Sequence, residues 1–185
     1  LLLGATSEPR WSYACSKAMG EWLALARARE SDLAVVIVRF FNVVGARQRP
    51  DFGMVLPRFV AAARAARARE VYGDGAQTRC FLAVEDALER VLALWDEPRA
   101  RGLVVNVGSA TELAIGALAE RVRALAGVDV PIVHMPYREA YGMAMSDFRR
   151  RVPSLARLEG LVGRRGERAL DGLVQELLQS ERVPG

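Results

Sequence analysis

Hydrophobic and polar positions along the chain alternate between a helical period and unbroken strand-like runs. Over residues 11–29 the apolar positions recur at helical spacing, with Trp22, Leu23, Leu25 and Ala26 on one face, and this predicts a helix. Residues 34–41 (Ala-Val-Val-Ile-Val-Arg-Phe-Phe) form a nearly continuous apolar run, the pattern of a strand buried on both faces of a parallel sheet. A loop with Gly45, Pro50 and Gly53 leads to a predicted helix over 55–69. Val71 and Tyr72 precede the turn Gly73-Asp74-Gly75, and 78–84 reads as extended. The helix predicted over 85–96 opens on Glu85 and Asp86, acidic residues favoured by the positive end of the helix dipole. Strand 103–107, helix 112–126 closed by Gly127, a short strand near 131–134, a loop across 136–152 and two terminal helices complete the order. Such alternation predicts an α/β fold with a parallel sheet and crossover helices, in one domain without an internal repeat or linker.

Composition narrows the class. With 185 residues and 51% hydrophobic content there is material for a substantial core. No apolar run approaches the roughly 18–20 residues of a membrane span, and Leu1-Leu2-Leu3 is too short, and lacks the charged start, for a signal peptide. Cys15 and Cys80 give neither metal-ligand spacing nor a disulfide framework, so no metal is expected and a reducing, cytoplasmic setting is. The net charge of +4 permits anion binding. Yet Arg27, Arg29, Arg64, Arg67 and Arg69 alternate with Ala and Glu on helical segments, which reads as a solvated face rather than a nucleic-acid surface. The chain has no initiator Met, and residues 1–10 read as the end of a loop entering a helix, so a segment of a longer protein is expected.

The candidate chemistry centres on Tyr13 and Lys17, four residues apart, and Lys17 is the only lysine among 26 basic residues. Where Arg supplies charge everywhere else, a single Lys suggests a need for a compact ammonium on a flexible stem. At i and i+4 of a helix the two side chains share a face. An ammonium beside a phenol favours phenolate, which makes Tyr13 a candidate acid/base for a hydroxyl proton. Asn42 follows the apolar strand at its carboxyl end, where open α/β sheets bind ligands; a loop-capping role is the alternative. His134, the only His, reads as a structural imidazole, Cys80 as packing, and Arg149 and Arg150 as solvated.

Further segments accompany this pair in a fixed order: Arg39-Phe40-Phe41-Asn42-Val43-Val44-Gly45-Ala46-Arg47, then Val71-Tyr72-Gly73-Asp74-Gly75-x-Gln77-Thr78-Arg79. Val84-Glu85-Asp86-Ala87 and Asn106-Val107-Gly108-Ser109 follow. With Tyr13-x-x-x-Lys17 they resemble, from about residue 4 to 178, the C-terminal portion of an extended short-chain dehydrogenase/reductase of the nucleotide-sugar epimerase/dehydratase group. The resemblance implies part of a Rossmann-type doubly wound parallel sheet plus a small mixed substrate-binding region. It also implies NAD as cofactor and a UDP-sugar as substrate. Tyr13 would take the proton of the sugar 4-hydroxyl, Lys17 would favour phenolate and hold the nicotinamide ribose, and Phe40 and Phe41 would line the cofactor. Arg10, Asn42, Val55, Tyr72, Arg79 and Arg151 would contact substrate, with Arg79 clamping the diphosphate; the Tyr72 ring either stacks on uracil or belongs to the core.

A narrower resemblance rests on Arg10-Trp11-Ser12-Tyr13, Arg79-Cys80-Phe81 and Tyr141-Gly142-x-x-x-x-Asp147-x-x-x-Arg151-x-Pro153, which look like the branch acting on UDP-glucuronate. There Arg10 and Arg151 would lie near the sugar carboxylate, which a guanidinium fork can bind through two parallel hydrogen bonds. The decarboxylases of that branch place a Tyr where this chain has Met145, which favours C4 epimerisation over decarboxylation; dehydration of a nucleotide sugar is a further alternative. The resemblance further implies a homodimer. The Gly-rich turn that cradles a dinucleotide pyrophosphate is absent from these 185 residues, as is the strand carrying the third catalytic hydroxyl. Roughly 120–150 upstream residues are therefore expected, a complete dinucleotide fold. The rival class is a non-catalytic nucleotide-sugar-binding module, against which the intact Tyr13/Lys17 pair counts.

Overall fold

The computed structural model describes residues 4–8, 10–48, 54–141 and 148–180. Helix α1 (Arg10–Glu30) is followed by strands β1 (Ile37–Phe40) and β2 (Val43–Val44), helix α2 (Val55–Arg64) and strands β3 (Arg69–Tyr72), β4 (Thr78–Arg79) and β5 (Leu82–Ala83). Helix α3 (Val84–Trp95), a 3-10 turn at Pro98–Ala100, strands β6 (Val104–Val107) and β7 (Leu113–Ala114) and helix α4 (Ile115–Ala126) come next. Strand β8 (Ile132–Met135), helix α5 (Tyr137–Tyr141), strand β9 (Arg150–Arg151) and helices α6 (Ala156–Val162) and α7 (Leu170–Gln179) complete the order. Three pairings, β1–β6, β2–β5 and β3–β8, are parallel. Parallel neighbours require crossover connections, and helices lie within each connection here. Strand β4 sits between antiparallel β7 and parallel β9, which makes the small mixed sheet.

Two apolar clusters hold these layers. Leu56, Phe59 and Val60 of α2 meet Val71 of β3, Leu118 and Val122 of α4 and Val174 of α7. Leu82, Leu94, Val105, Val107 and Leu158 fill the second, around β6. Gly75 lets the mixed sheet close on α4: its φ is +73°, and an added Cβ would lie 3.2 Å from the Cα of Gly116. Gly108 similarly admits Phe41, whose Cβ would lie 2.7 Å from an added Cβ.

Several expectations are corrected. The helix predicted over 55–69 stops at Arg64, because Ala66 takes a left-handed φ of +48° and Arg69 opens β3. Arg69 is fully buried rather than solvated, and Arg64 is half-buried, donating to carbonyls at the end of α7. The run 34–41 yields a shorter, half-buried β1, paired only with β6 among the described residues, and Phe40 is 58% exposed. On the predicted apolar face of α1, Trp22 and Leu23 are exposed. The predicted loop 136–152 contains α5 and β9. Among the described residues no helix is long and apolar enough to cross a membrane, and no group of His, Cys, Asp and Glu could hold a metal ion.

Candidate active site

Tyr13 and Lys17 stand one turn apart on α1, with the Lys17 Nζ 5.4 Å from the centre of the Tyr13 ring. That is within the range of a cation–π contact, and Tyr13 is 70% exposed, so its hydroxyl is open to a reactant. Two contacts fasten α1 to the rest of the site. Arg39 of β1 grips Glu21 through two hydrogen bonds of 2.7 and 2.5 Å, which hold the Glu21 carboxyl below its ordinary range. Trp11 meets Phe148 edge to face, with ring centres 5.8 Å apart.

Asn42 follows β1 with φ +41°, a left-handed conformation that Asn tolerates better than most residues. The turn aims its amide at β4 and β9: Nδ2 donates to the Cys80 carbonyl at 2.7 Å, and Oδ1 accepts from the Arg151 guanidinium at 2.8 Å. Arg151 pairs with Arg79 in the parallel β4–β9 ladder. Arg79 is buried and donates to the carbonyls of Thr78 and Phe148, at 2.7 and 2.9 Å. Arg149 and Arg150, expected to be solvated, are exposed but ion-paired, to Asp74 at 2.5 Å and Glu112 at 3.0 Å. Phe40, Phe41, Asn42, Arg79 and Arg151 thus gather where β1 ends and the mixed sheet begins.

A second group forms beyond the Gly73–Gly75 turn. Val55 opens α2, and one turn on Arg58 lays its guanidinium over the Tyr72 ring, 4.0 Å from its centre. One face of the Tyr72 ring is therefore already occupied by a cation. Gln77, part of the Val71–Arg79 motif but given no role by the sequence, is buried and donates to the Tyr72 carbonyl at 2.7 Å, which ties this group to β4. His134 has its Nδ1 3.1 Å from the Gly73 carbonyl, which suits a structural imidazole, and burial pushes the Cys80 thiol up. The side chain of Arg10, and Met145 and Asp147, lie outside the described residues.

Residues 2–108 match the NAD dependent epimerase/dehydratase family. The chain is 40% identical over 159 residues to UDP-N-acetyl-alpha-D-glucosaminuronate decarboxylase of Bacillus cytotoxicus, covering 85% of this chain and 49% of that protein. It is 29% identical over 197 residues to UDP-D-apiose/UDP-D-xylose synthase 2 of Arabidopsis thaliana, covering 96% of this chain and 50% of that protein. In fold it is similar to UDP-glucuronic acid 4-epimerase of Bacillus cereus, solved with UDP-glucuronic acid and NAD. That likeness has a TM-score of 0.81 at 20% identity and covers 97% of this chain and 56% of that one. This α/β chain belongs to the NAD dependent epimerase/dehydratase family. It spans about half the length of the curated relatives it matches.

Proposed function

We propose that this chain is the C-terminal portion of an NAD-dependent enzyme that oxidises a UDP-hexuronate at C4 and releases its carboxyl group as carbon dioxide. The observation that carries the reading is the 40% identity to a UDP-N-acetyl-hexosaminuronate decarboxylase, across 85% of this chain. The geometry supports it: an exposed Tyr13 beside Lys17, and an Arg151 fork held in place by the neutral amide of Asn42. Exposed Tyr13 and Lys17, with Phe40 exposed at the β1 end, suit a nicotinamide and its ribose. A bound nicotinamide would supply the hydride acceptor at the sugar C4 and give the hydride back to C4 once the carboxyl has left, so that the net reaction consumes no oxidant.

Tyr13 takes the proton of the sugar 4-hydroxyl, with the Lys17 ammonium beside its ring. The resulting 4-ketone makes the carboxylate a β-keto acid. The C5–carboxyl bond can then break, with its electron pair delocalised onto the ketone oxygen; C5 takes a proton from solvent, and Tyr13 returns its proton to the C4 oxygen as that carbon is reduced to give the UDP-pentose. Arg151 orients the carboxylate through charged hydrogen bonds. Arg79 stabilises the segment from which Arg151 projects and, with Asn42, faces the diphosphate end. Val55 and Tyr72 accept the uracil, and the upstream segment of the same protein supplies the pyrophosphate-binding turn. A homodimer closing on the exposed Met19, Trp22 and Leu23 of α1, and a cytoplasmic setting that keeps exposed Cys15 free, complete the proposal.

C4 epimerisation is the second reading, favoured by Met145 standing where the decarboxylases of the resembled branch place Tyr. Incubating the full-length enzyme with UDP-N-acetylglucosaminuronate, UDP-glucuronate and UDP-glucose, with products followed by NMR, separates them. The expected result is carbon dioxide released one for one with a UDP-pentose product from a uronate. The C4 epimer with the carboxyl retained would establish the second reading, and turnover of UDP-glucose alone would overturn the assignment of Arg151.

A further inference from the structure

Helix α1 carries Tyr13 and Lys17, and its inner seam offers little to hold them at a fixed angle. The less exposed side of the helix runs through Ala14, Ala18, Glu21, Leu25 and Ala28, at spacings of three and four. Alanine methyls fill space against a neighbour, but they have no preferred partner atom or direction. Glu21 does, and its side chain is only 16% exposed. Its carboxylate takes both arms of the Arg39 guanidinium: Nε donates to Oε1 at 2.7 Å, and Nη2 to Oε2 at 2.5 Å. Two parallel hydrogen bonds of this kind specify an angle as well as a distance.

Arg39 is itself held in the sheet, opposite Asn106 in the β1–β6 ladder, and directly precedes Phe40, Phe41 and Asn42. The fork thus joins the helix of the acid/base pair to the strand whose end forms the site. By helical geometry Lys17 lies about 6 Å along the axis from Glu21 and about 40° round it, and Tyr13 about 12 Å and about 80°. The edge-to-face contact of Trp11 with Phe148 holds the first turn. A directional contact about three turns further on fixes the tilt and the rotation of the helix as well. We propose that Glu21, acting through Arg39, is a positioning residue for the acid/base: it sets the rotation of α1 at which the Tyr13 hydroxyl meets the sugar C4. The inference rests on the reading of Tyr13 as that acid/base.

The test compares kcat with the calorimetric Kd for the UDP-hexuronate, on the full-length enzyme. Arg39→Lys keeps the charge but replaces the fork with a single ammonium. The double variant Glu21→Leu/Arg39→Met removes the ion pair and fills its space with apolar side chains, an exchange that is often neutral or stabilising. Both should lower kcat by about 10- to 100-fold, the scale set by a displacement of about 1 Å at a reacting group. Kd should stay within a few-fold, because Tyr72, Arg79 and Arg151 lie on other elements. The double variant should also melt near the native temperature; if it melts lower, Arg39→Lys decides by the same two readouts. Native turnover in the folded variant, or a fall in kcat matched by an equal loss of affinity, would mean that the pair serves only cohesion and would overturn the proposal. Turnover retained by Tyr13→Phe alone would instead overturn the reading of Tyr13 on which it stands.

Discussion

Arg69 carries its guanidinium into the core at the first residue of β3, on the strand face shared with Val71. None of its three side-chain nitrogens finds a hydrogen-bond partner among the described residues. Burial, with Arg123 nearby, lowers its proton affinity. Replacing buried ionic groups with apolar side chains of similar volume is often stabilising by about 1–4 kcal/mol. Arg69→Met is therefore expected to raise the midpoint of urea unfolding, and a lowered midpoint would show that the guanidinium has a partner that matters. The sequence hid this residue, because Arg-Ala alternation over 64–69 reads as a solvated helix until α2 and α4 close over β3. Tyr13 and Lys17 were legible for the opposite reason: their relation depends only on helical spacing. The place of Asn42 at the end of the apolar strand was legible, but its partner Arg151 lies 109 positions away, and no local pattern connects them.

At the scale of elements, α1, α3 and β8 lie within a residue or two of the expected 11–29, 85–96 and 131–134, whereas the helix expected over 55–69 ends at Arg64 and the strand expected over 34–41 spans only Ile37–Phe40. The two-residue strands β2, β7 and β9 were not legible, since two residues carry no period and exist only through their neighbours. β9 is fastened by ion pairs, and this gives it a pH response. Hydrogen bonds from Arg149 to Asp74, and from Thr78 and Arg150 to Glu112, hold both carboxyls below their ordinary range in the folded chain. The unfolded chain then binds more protons as these groups titrate, so stability rises with pH in that range. Their contribution is complete above the unfolded values of about 4 and is lost as pH falls through the lower folded ones. The melting temperature of the native protein should therefore fall more steeply between about pH 5 and pH 3 than that of an Arg149→Gln/Arg150→Gln variant. Parallel pH profiles would contradict this.

For the whole molecule, the exposed apolar side chains are concentrated rather than scattered. Met19, Trp22 and Leu23 stand out on α1, Val84, Leu88, Leu92 and Trp95 make a stripe on α3, and Phe40 ends β1. Contiguous apolar surface of this kind marks contact sites or association. The 185-residue chain by itself is expected to bind a hydrophobic dye and to self-associate in light scattering, whereas a monomeric chain with a cooperative melt and no dye binding would contradict it. The α/β class and the order of elements were legible from periodicity. How α1 and β1 are covered was not, because burial depends on neighbours that no local pattern reveals. The proposed acid/base at the sugar C4 is Tyr13, supported by Lys17. Its most direct test is the Tyr13→Phe form of the full-length enzyme, assayed for turnover of the UDP-hexuronate and, by calorimetry, for its binding. The account predicts turnover abolished with Kd within a few-fold of the native value; turnover unchanged in the Phe variant would contradict it.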